Sequence, residues 1–445
     1  MSQDIVFPEE LDYFVQSLRQ FQVSDIGTSR WLETHEMVIK LGQQAVLEAS
    51  THREESVKEA MITHGRLGVL IHEAYCIMIW KTRVLPNLLS IDANPQATFL
   101  IYTVLFHEGA AISLLEACLF HQNAVESLGD LAIDLIDYCA QAISQVIGLT
   151  GMGYHESFSK VDLDESVISE LERQKRDMLY KIGLRCVSVL NYIVDKVEAL
   201  SISAVRRVVT THDIPWLLSD MLHFRPWERK VKGYFERFID EKWQKVEGET
   251  FSQISKYEAQ CWFILRNLLF SQKVMGVYEM NDGRIRQLGK CQGLLNEVVL
   301  DQLPPLIDLK HFLGTLPVES SQFDKKTNLV FEELPQIKEN LEIKAEKEGG
   351  YMKIANKQAE IFLTTDTEQI HAMAQKLSTA YNTDVLAEFD EPSENSKSTE
   401  DKKKFCKVCQ KDAEKKCGNC SKAFYCSKEC QVKHWPTHKK LCLQE

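Results

Sequence analysis

The last forty or so residues constrain this chain more than any other stretch. They read CKVCQKDAEKKCGNCSKAFYCSKECQVKHWPTHKKLC from Cys406 to Cys442 and hold seven of the thirteen cysteines and two of the thirteen histidines. The pairs are Cys406-x2-Cys409, Cys417-x2-Cys420, Cys426-x3-Cys430 and His438-x3-Cys442. Two intervening residues let one tight turn present both thiolates to one ion. Three place the ligands one helical turn apart on a common face. Four pairs make eight ligands, enough for two closed tetrahedral sites of the kind that hold structural zinc. Spacing permits two partitions: the pairs taken in sequence, two by two, or the first pair with the third and the second with the fourth. His434, one turn beyond Cys430, competes with His438 for a ligand role, although a histidine beside a filled site usually supports the ligands or faces solvent.

Charge is unevenly placed. The net formal charge is -12, yet residues 401–445 carry 12 Lys/Arg against 5 Asp/Glu, a side-chain balance of +7 that leaves -19 for the rest. Seven metal-bound thiolates and two Zn2+ lower the tail's balance to about +4. An acidic body argues against broad phosphate-backbone binding and fits protein partners, so no nucleic-acid partner is expected. The first residues, MSQDIVFPEELDYF, lack a basic segment followed by an apolar core, so no secretory signal is expected. Cys76–Trp80 is far shorter than a spanning helix needs, and no membrane span is expected. These readings place the chain in a reducing compartment, where clustered cysteines are metal ligands rather than disulfides. Cys76, Cys118, Cys139, Cys186, Cys261 and Cys291 lie in apolar surroundings and read as buried small hydrophobes.

Along the chain, apolar residues recur every three or four positions. Helical patterns cover Leu11–Phe21, His35–Ala49 and Val57–Trp80, the last either one helix or two separated at Gly65, and ended by Pro86. Further apolar segments span Phe99–Phe120 and Leu128–Ile147; in the second, Asp130, Asp134 and Asp137 form the expected solvated side. Residues 148–167 read as a long loop, followed by a strong helix over Ile168–Leu200. Helices are expected at Ser203–Thr210, Ile214–His223, Tyr257–Leu269, Leu295–Leu303, Gln336–Glu346, Met352–Leu363 and Thr367–Tyr381. No segment alternates with period two between hairpin turns, so the fold class is mainly α. Such helices suit an armadillo/HEAT-like solenoid, preferred here, or an irregular helical bundle. Residues 389–404 (FDEPSENSKSTEDKKK) cannot bury enough surface to order and read as a flexible polar linker. The expected layout is a helical body over 1–388, that linker, and a small two-zinc finger over 405–445.

The body offers chemistry only in fragments. His72-Glu73 and His107-Glu108 begin like zinc-protease helices, but the residue that completes the motif is Cys76 or Ala111 rather than His. Gly283 to Lys290 (GRIRQLGK) resembles a phosphate loop with one residue too many, Cys291 in place of Ser/Thr, and no preceding strand. His212-Asp213 with Trp216 and Trp227 reads as packing rather than a binding surface. No catalytic residue is assigned, and no enzyme is expected.

The residues Tyr425-Cys426, Cys430-Gln431, His434-Trp435, His438 and Cys442, set behind two C-x2-C pairs, resemble the MYND-type zinc finger across the whole of Cys406–Cys442. The resemblance implies Cys406, Cys409, Cys426 and Cys430 on one Zn2+, with Cys417, Cys420, His438 and Cys442 on the other. It implies a protein-binding module that accepts short peptides along a groove including Gln431 and Trp435. Gly418 stands where some members carry serine, which bears on peptide preference. In a domain this small Trp435 either fills the core or makes an exposed anchor; Pro436 biases it out of helical geometry, at a corner between two short helices, and the resemblance favours the anchor. The segments IHEAYCIMIWKTRVLPNLL, GDLAIDLIDYC, HDIPWLLSDMLHFRPW and DQLPPLIDLKHFLGTL extend the likeness to a family of MYND-bearing cytoplasmic assembly factors for axonemal dynein arms. That resemblance implies a non-enzymatic adaptor or co-chaperone needed for motile cilia, at centriolar satellites or dynein assembly foci. Its implied partners are other dynein assembly factors, including a leucine-rich-repeat one, the heat-shock chaperone machinery with an FKBP-type immunophilin, and dynein chains as clients. The alternative is a nuclear corepressor that recruits transcription factors through the same finger.

Overall fold

The computed structural model describes residues 5–153, 165–231, 233–319 and 332–380, and within the tail 409, 415–416, 424–427, 430 and 433–434. The linker expected over 389–404 and most of the loop expected over 148–167 lie outside the described residues. The chain forms two compact units, Met1–Leu386 and Ala387–Glu445.

The first unit is mainly helical. Its helices are α1 (Pro8–Ser17), α2 (Ser29–Ser50), α3 (Ser56–Thr63), α4 (Leu67–Ile79), α5 (Leu85–Ile91), α6 (Thr98–Leu119), α7 (Gln122–Ser127) and α8 (Leu131–Gly151). They continue as α9 (Val167–Asp195), α10 (Ile202–Arg206), α11 (Ile214–Phe224), α12 (Glu249–Ser252), α13 (Lys256–Phe270) and α14 (Gln272–Met275). The last are α15 (Asp282–Gln292), α16 (Glu297–Gln302), α17 (Ile307–Glu319), α18 (Ile337–Lys347), α19 (Tyr351–Phe362) and α20 (Thr367–Ala380). Helix starts follow local chemistry: the side chains of Thr28, Ser166, Ser201, Ser255, Asn281 and Asn296 each accept a backbone N–H of the first turn. Gly65, at φ +60°, breaks the chain between α3 and α4, so the Val57–Trp80 pattern is two helices rather than one.

Pro86 does not end its helix. The chain leaves α4 through a five-residue π turn, Trp80–Val84, and enters α5 with Pro86 in the first turn, where no N–H is required. The GRIRQLGK stretch is part of α15, capped by Asn281, so its backbone forms no phosphate cradle.

In packing terms, α4 lies against α6, α8 against α9, and α11 against α13. One series of contacts runs from α4 to α8, α11 and α15; another runs from α2 to α6, α9 and α13. α18 and α19 return to the start of the unit, α18 against α4 and α19 against α5. Gln358 of α19 fixes that return: it accepts Trp80 Nε1 at 2.8 Å and donates to the carbonyls of Val23 and Ile26 at 2.9 and 3.1 Å. Phe362 closes on Gly27, whose φ is +88° and where a Cβ would lie 2.7 Å from the ring. Asp134 and Asp137 are not the solvated side of α8. Asp134 is buried and accepts the N–H groups of Gln336 and Ile337 at 2.9 Å, capping α18, while Asp137 takes a bidentate Arg207 at 3.0 and 2.7 Å and His212 at 2.6 Å.

A three-stranded antiparallel sheet that the sequence pattern does not reveal interrupts the helices: β1 (Glu228–Val231), β2 (Tyr234–Ile239) and β3 (Lys242–Val246). Its alternation is disguised because a buried arginine lies on each of its two faces. Arg237 is buried on Glu228, at 3.1 and 2.7 Å, and on two carbonyls; Arg229 is buried on Glu236 and stacks 4.3 Å over Trp243. The β2–β3 turn is Asp240-Glu241, both at positive φ, where a glycine usually signals the hairpin.

α6 is long and apolar enough to cross a membrane by length and composition, a feature the sequence reading did not single out, but α2, α4 and α9 pack on it as a core helix. The six cysteines of this unit are buried, as expected. The crossing of α8 and α9 is close: a Cβ on Gly183 would lie 2.2 Å from Val146 Cγ2 and 2.8 Å from the Ala142 carbonyl. Gly183→Ala is expected to destabilise the unit by about 1–3 kcal/mol, lowering the melting temperature in thermal denaturation followed by circular dichroism.

Candidate metal centre

In the second unit, Lys415–Lys416 (β4) pairs antiparallel with Phe424–Tyr425 (β5), with Lys415 opposite Tyr425 and Lys416 opposite Phe424. β5 leads directly into Cys426, and a helical turn carries Cys430, Lys433 and His434. The backbone N–H of Cys430 donates to Ser427 Oγ at 3.4 Å at the start of that turn. Cys409 is exposed, while Cys426 and Cys430 are half-buried.

The three sulfurs converge. Cys409 Sγ lies 3.3 Å from Cys426 Sγ, Cys426 Sγ 3.6 Å from Cys430 Sγ, and Cys430 Sγ 3.9 Å from Cys409 Sγ. Zn–S bonds of about 2.3 Å in a tetrahedron separate sulfurs by about 3.8 Å. A disulfide requires about 2.05 Å, so the triangle has the size of a metal site rather than a bridge. The donor set is soft thiolate, which suits zinc. The cluster joins one cysteine of the first pair to both of the third. His434 is described and half-buried but is not among the converging ligand atoms. Cys406, Cys417, Cys420, His438 and Cys442, and the peptide-groove residues Gln431 and Trp435, lie outside the described residues.

The histidine–glutamate pairs of the body are core polar hubs. Glu73 is fully buried; its carboxylate accepts Phe21 N at 3.1 Å and Trp31 Nε1 at 3.3 Å, with His72 at 3.4 Å and His107 Nε2 at 3.5 Å beside it. His107 Nδ1 meets His35 Nδ1 at 2.9 Å, so one of the two nitrogens carries the shared proton. Glu108 is equally sequestered, taking Lys81 Nζ at 2.5 Å and Tyr138 Oη at 2.8 Å. Each carboxylate is consumed by structural donors, among them Trp31 of α2 for Glu73 and Tyr138 of α8 for Glu108. Asp213, in the left-handed region, takes Tyr278 Oη and Arg284 Nε at 2.7 Å each, Trp227 is buried, and Trp216 is 39% exposed.

Burial, then the neighbouring His107, hold the His35 pKa well below the usual histidine value. Burial pushes Glu73 upward, but the surrounding His107, His72 and Phe21 N–H outweigh it and hold it below the usual carboxylate value. Below about pH 6.5 the unfolded chain binds a proton that folded His35 refuses, so stability is lost as pH falls from there, with Glu73 acting in the same sense below about 4.5. His35→Asn is expected to remove a slope of up to about 1.4 kcal/mol per pH unit between pH 6.5 and 5, seen by comparing urea unfolding of the two proteins. At the thiolate cluster, Cys430→Ser is expected to lower bound zinc by about one equivalent per chain, measured by elemental analysis of the purified full chain.

Comparison with known proteins agrees with the finger's chemistry. The family described as MYND finger matches residues 406–442. The chain is 52% identical to the zinc finger MYND domain-containing protein 10 homolog of Drosophila melanogaster over 451 aligned residues, covering 99% of each chain. It is also 50% identical over 40 residues to the N-lysine methyltransferase SMYD2-B of Danio rerio, and 49% identical over 39 residues to the N-lysine methyltransferase SMYD2 of Homo sapiens; each match covers 8% of this chain and 9% of the relative. No solved structure matches.

Proposed function

The chain belongs to the family of the zinc finger MYND domain-containing protein 10 homolog, and from that premise we propose that it is a non-enzymatic adaptor in the cytoplasmic preassembly of axonemal dynein arms, needed for motile cilia. One observation carries the proposal: the likeness runs through 99% of both chains, finger and body together. The methyltransferase relatives share only a stretch of finger length, so no methyl-transfer activity is carried over.

The finger is the capture module. Its proposed ligands are Cys406, Cys409, Cys426 and Cys430 for one Zn2+, and Cys417, Cys420, His438 and Cys442 for the other. The convergence of Cys409 with Cys426 and Cys430 supports the first of these sets. Both ions are structural: closed thiolate and imidazole shells hold a unit too small to be stabilised by a hydrophobic core. Gln431 and Trp435 are proposed to line the peptide groove. The body over 1–388 is read as an armadillo/HEAT-like stack of helix pairs, a reading supported by the two parallel series of helix contacts. It would hold one protein while the finger at 405–445 holds another. Residues 389–404 are proposed as the polar linker between the two modules. Its proposed partners are other dynein assembly factors, including a leucine-rich-repeat one, the heat-shock machinery with an FKBP-type immunophilin, and dynein chains as clients.

Trp435→Ala is expected to lose capture of at least one assembly factor in pull-downs from ciliating cells, with the helical signal of the body unchanged. Unchanged capture of every factor would sink the finger's role. Native mass spectrometry of the wild type, in the same preparations, is expected to find about two zinc ions per chain.

A further inference from the structure

Peroxides attack thiolates. A cysteine becomes an oxidation site when its sulfur is held as thiolate, when it faces solvent, and when a second sulfur stands close enough to displace the oxygen it takes up. The described cysteines fall into two groups by these conditions. Cys76, Cys118, Cys139, Cys186, Cys261 and Cys291 are buried in the helical unit. Burial keeps solvent from them and disfavours the charged form, which pushes the Cys118 thiol up to about 12 and the Cys291 thiol up to about 11. The same cause raises Cys76, Cys186 and Cys261. These sulfurs behave as small hydrophobes and are inert.

The thiolate cluster of the tail differs in each respect. A sulfur that ligates zinc is a thiolate, so the first condition is met by the donor set itself. The three sulfurs are not equivalent. Cys409 is exposed, whereas Cys426 and Cys430 are half-buried. Cys409 Sγ lies 3.3 Å from Cys426 Sγ and 3.9 Å from Cys430 Sγ, so the exposed sulfur has one nearer neighbour. The remaining pair, Cys426 and Cys430, is 3.6 Å apart, and neither of its members is exposed. Closing Cys409 on Cys426 to a bond of about 2.05 Å moves the sulfurs together by little more than 1 Å.

We propose that Cys409 is an oxidation site with Cys426 as its resolving partner, so that hydrogen peroxide converts the pair to a disulfide and opens the metal site. The inference rests on the zinc reading of the finger and adds a regulation to it. The Cys409 thiolate attacks one peroxide oxygen; the O–O bond breaks, the leaving hydroxide takes a proton and departs as water, and the sulfur keeps a hydroxyl as sulfenic acid. The Cys426 thiolate then attacks that sulfur; the S–S bond forms, the S–O bond breaks, and a second hydroxide takes a second proton. Two thiolates, one peroxide and two protons become one disulfide and two waters, with two electrons passing from the sulfurs to the peroxide. A disulfide carries no thiolate to offer a metal, so the site no longer closes around an ion. The tail then loses the binding energy that orders it.

The test uses the full chain, purified with a reductant and then freed of it. Its zinc content is measured, and it is treated with substoichiometric hydrogen peroxide. Released zinc is read with a chromogenic chelator, and disulfides are mapped by mass spectrometry once the free thiols are blocked. The expected first disulfide is Cys409–Cys426, formed in step with the release of about one zinc equivalent per chain and reversed by dithiothreitol with added zinc. In a parallel sample dimedone, which traps sulfenic acids, is expected to label Cys409 ahead of every other cysteine. An unreacted Cys409, a first disulfide or first dimedone adduct elsewhere, or a Cys409–Cys426 bridge with no zinc released overturns the proposal. The starting zinc content separates the two readings. A reduced chain that carries no zinc overturns the metal reading and this inference with it, whereas a zinc-loaded chain that oxidises elsewhere overturns this inference alone.

Discussion

A helix apolar on nearly every side must be enclosed, and α6 sets the plan of the body for that reason. α2, α4 and α9 are long helices laid against it, and the later helices extend the contacts made by α4 and α9. The enclosure leaves little tolerance. At the neighbouring crossing, Gly183 lets α8 and α9 approach so closely that one methyl group would collide with a carbonyl.

Burial of this extent would be compatible with several slides and rotations of the helices, because apolar contact is non-directional. The polar groups that the core retains remove that freedom. Glu73 connects α4 to the backbone at Phe21, to Trp31 of α2 and toward His107 of α6; Glu108 connects α6 to Lys81 and to Tyr138 of α8. Asp134 caps a helix some two hundred residues away in sequence, and Gln358 ties the returning α19 to Trp80 and two early carbonyls. A slide of one turn would strand a buried carboxylate without donors, at a cost well above that of a lost surface contact. These groups act as registration marks rather than as large sources of net stability.

The same residues show what a sequence can and cannot disclose. Helices such as Val167–Asp195 and Ile214–Phe224 are legible because their period is written in local apolar spacing. The sheet is hidden because Arg229 and Arg237, buried on opposite faces, look like solvent-facing charges until Glu236 and Glu228 are brought opposite them. Asp134 and Asp137 mislead in the same way: on α8 alone they mark a wet face, and only distant chain turns it into a cap and an ion-pair site. The π turn before Pro86 is invisible to rules that treat proline as a stop. The thiolate cluster is the opposite case. Metal coordination needs ligands at short fixed spacings, so Cys409, Cys426 and Cys430 announce their chemistry in the sequence itself, whereas their partition between ions depends on how the chain folds back.

The two units therefore rest on different physical sources of order. The body draws on several hundred residues of chain and buries enough apolar surface to stand without a cofactor. The finger, with some forty residues, cannot; its folding free energy is largely the free energy of metal binding, and depends on deprotonated thiols. A metal held by the thiolate cluster therefore bears on the order of the tail, whereas the helices of the body rest on apolar burial.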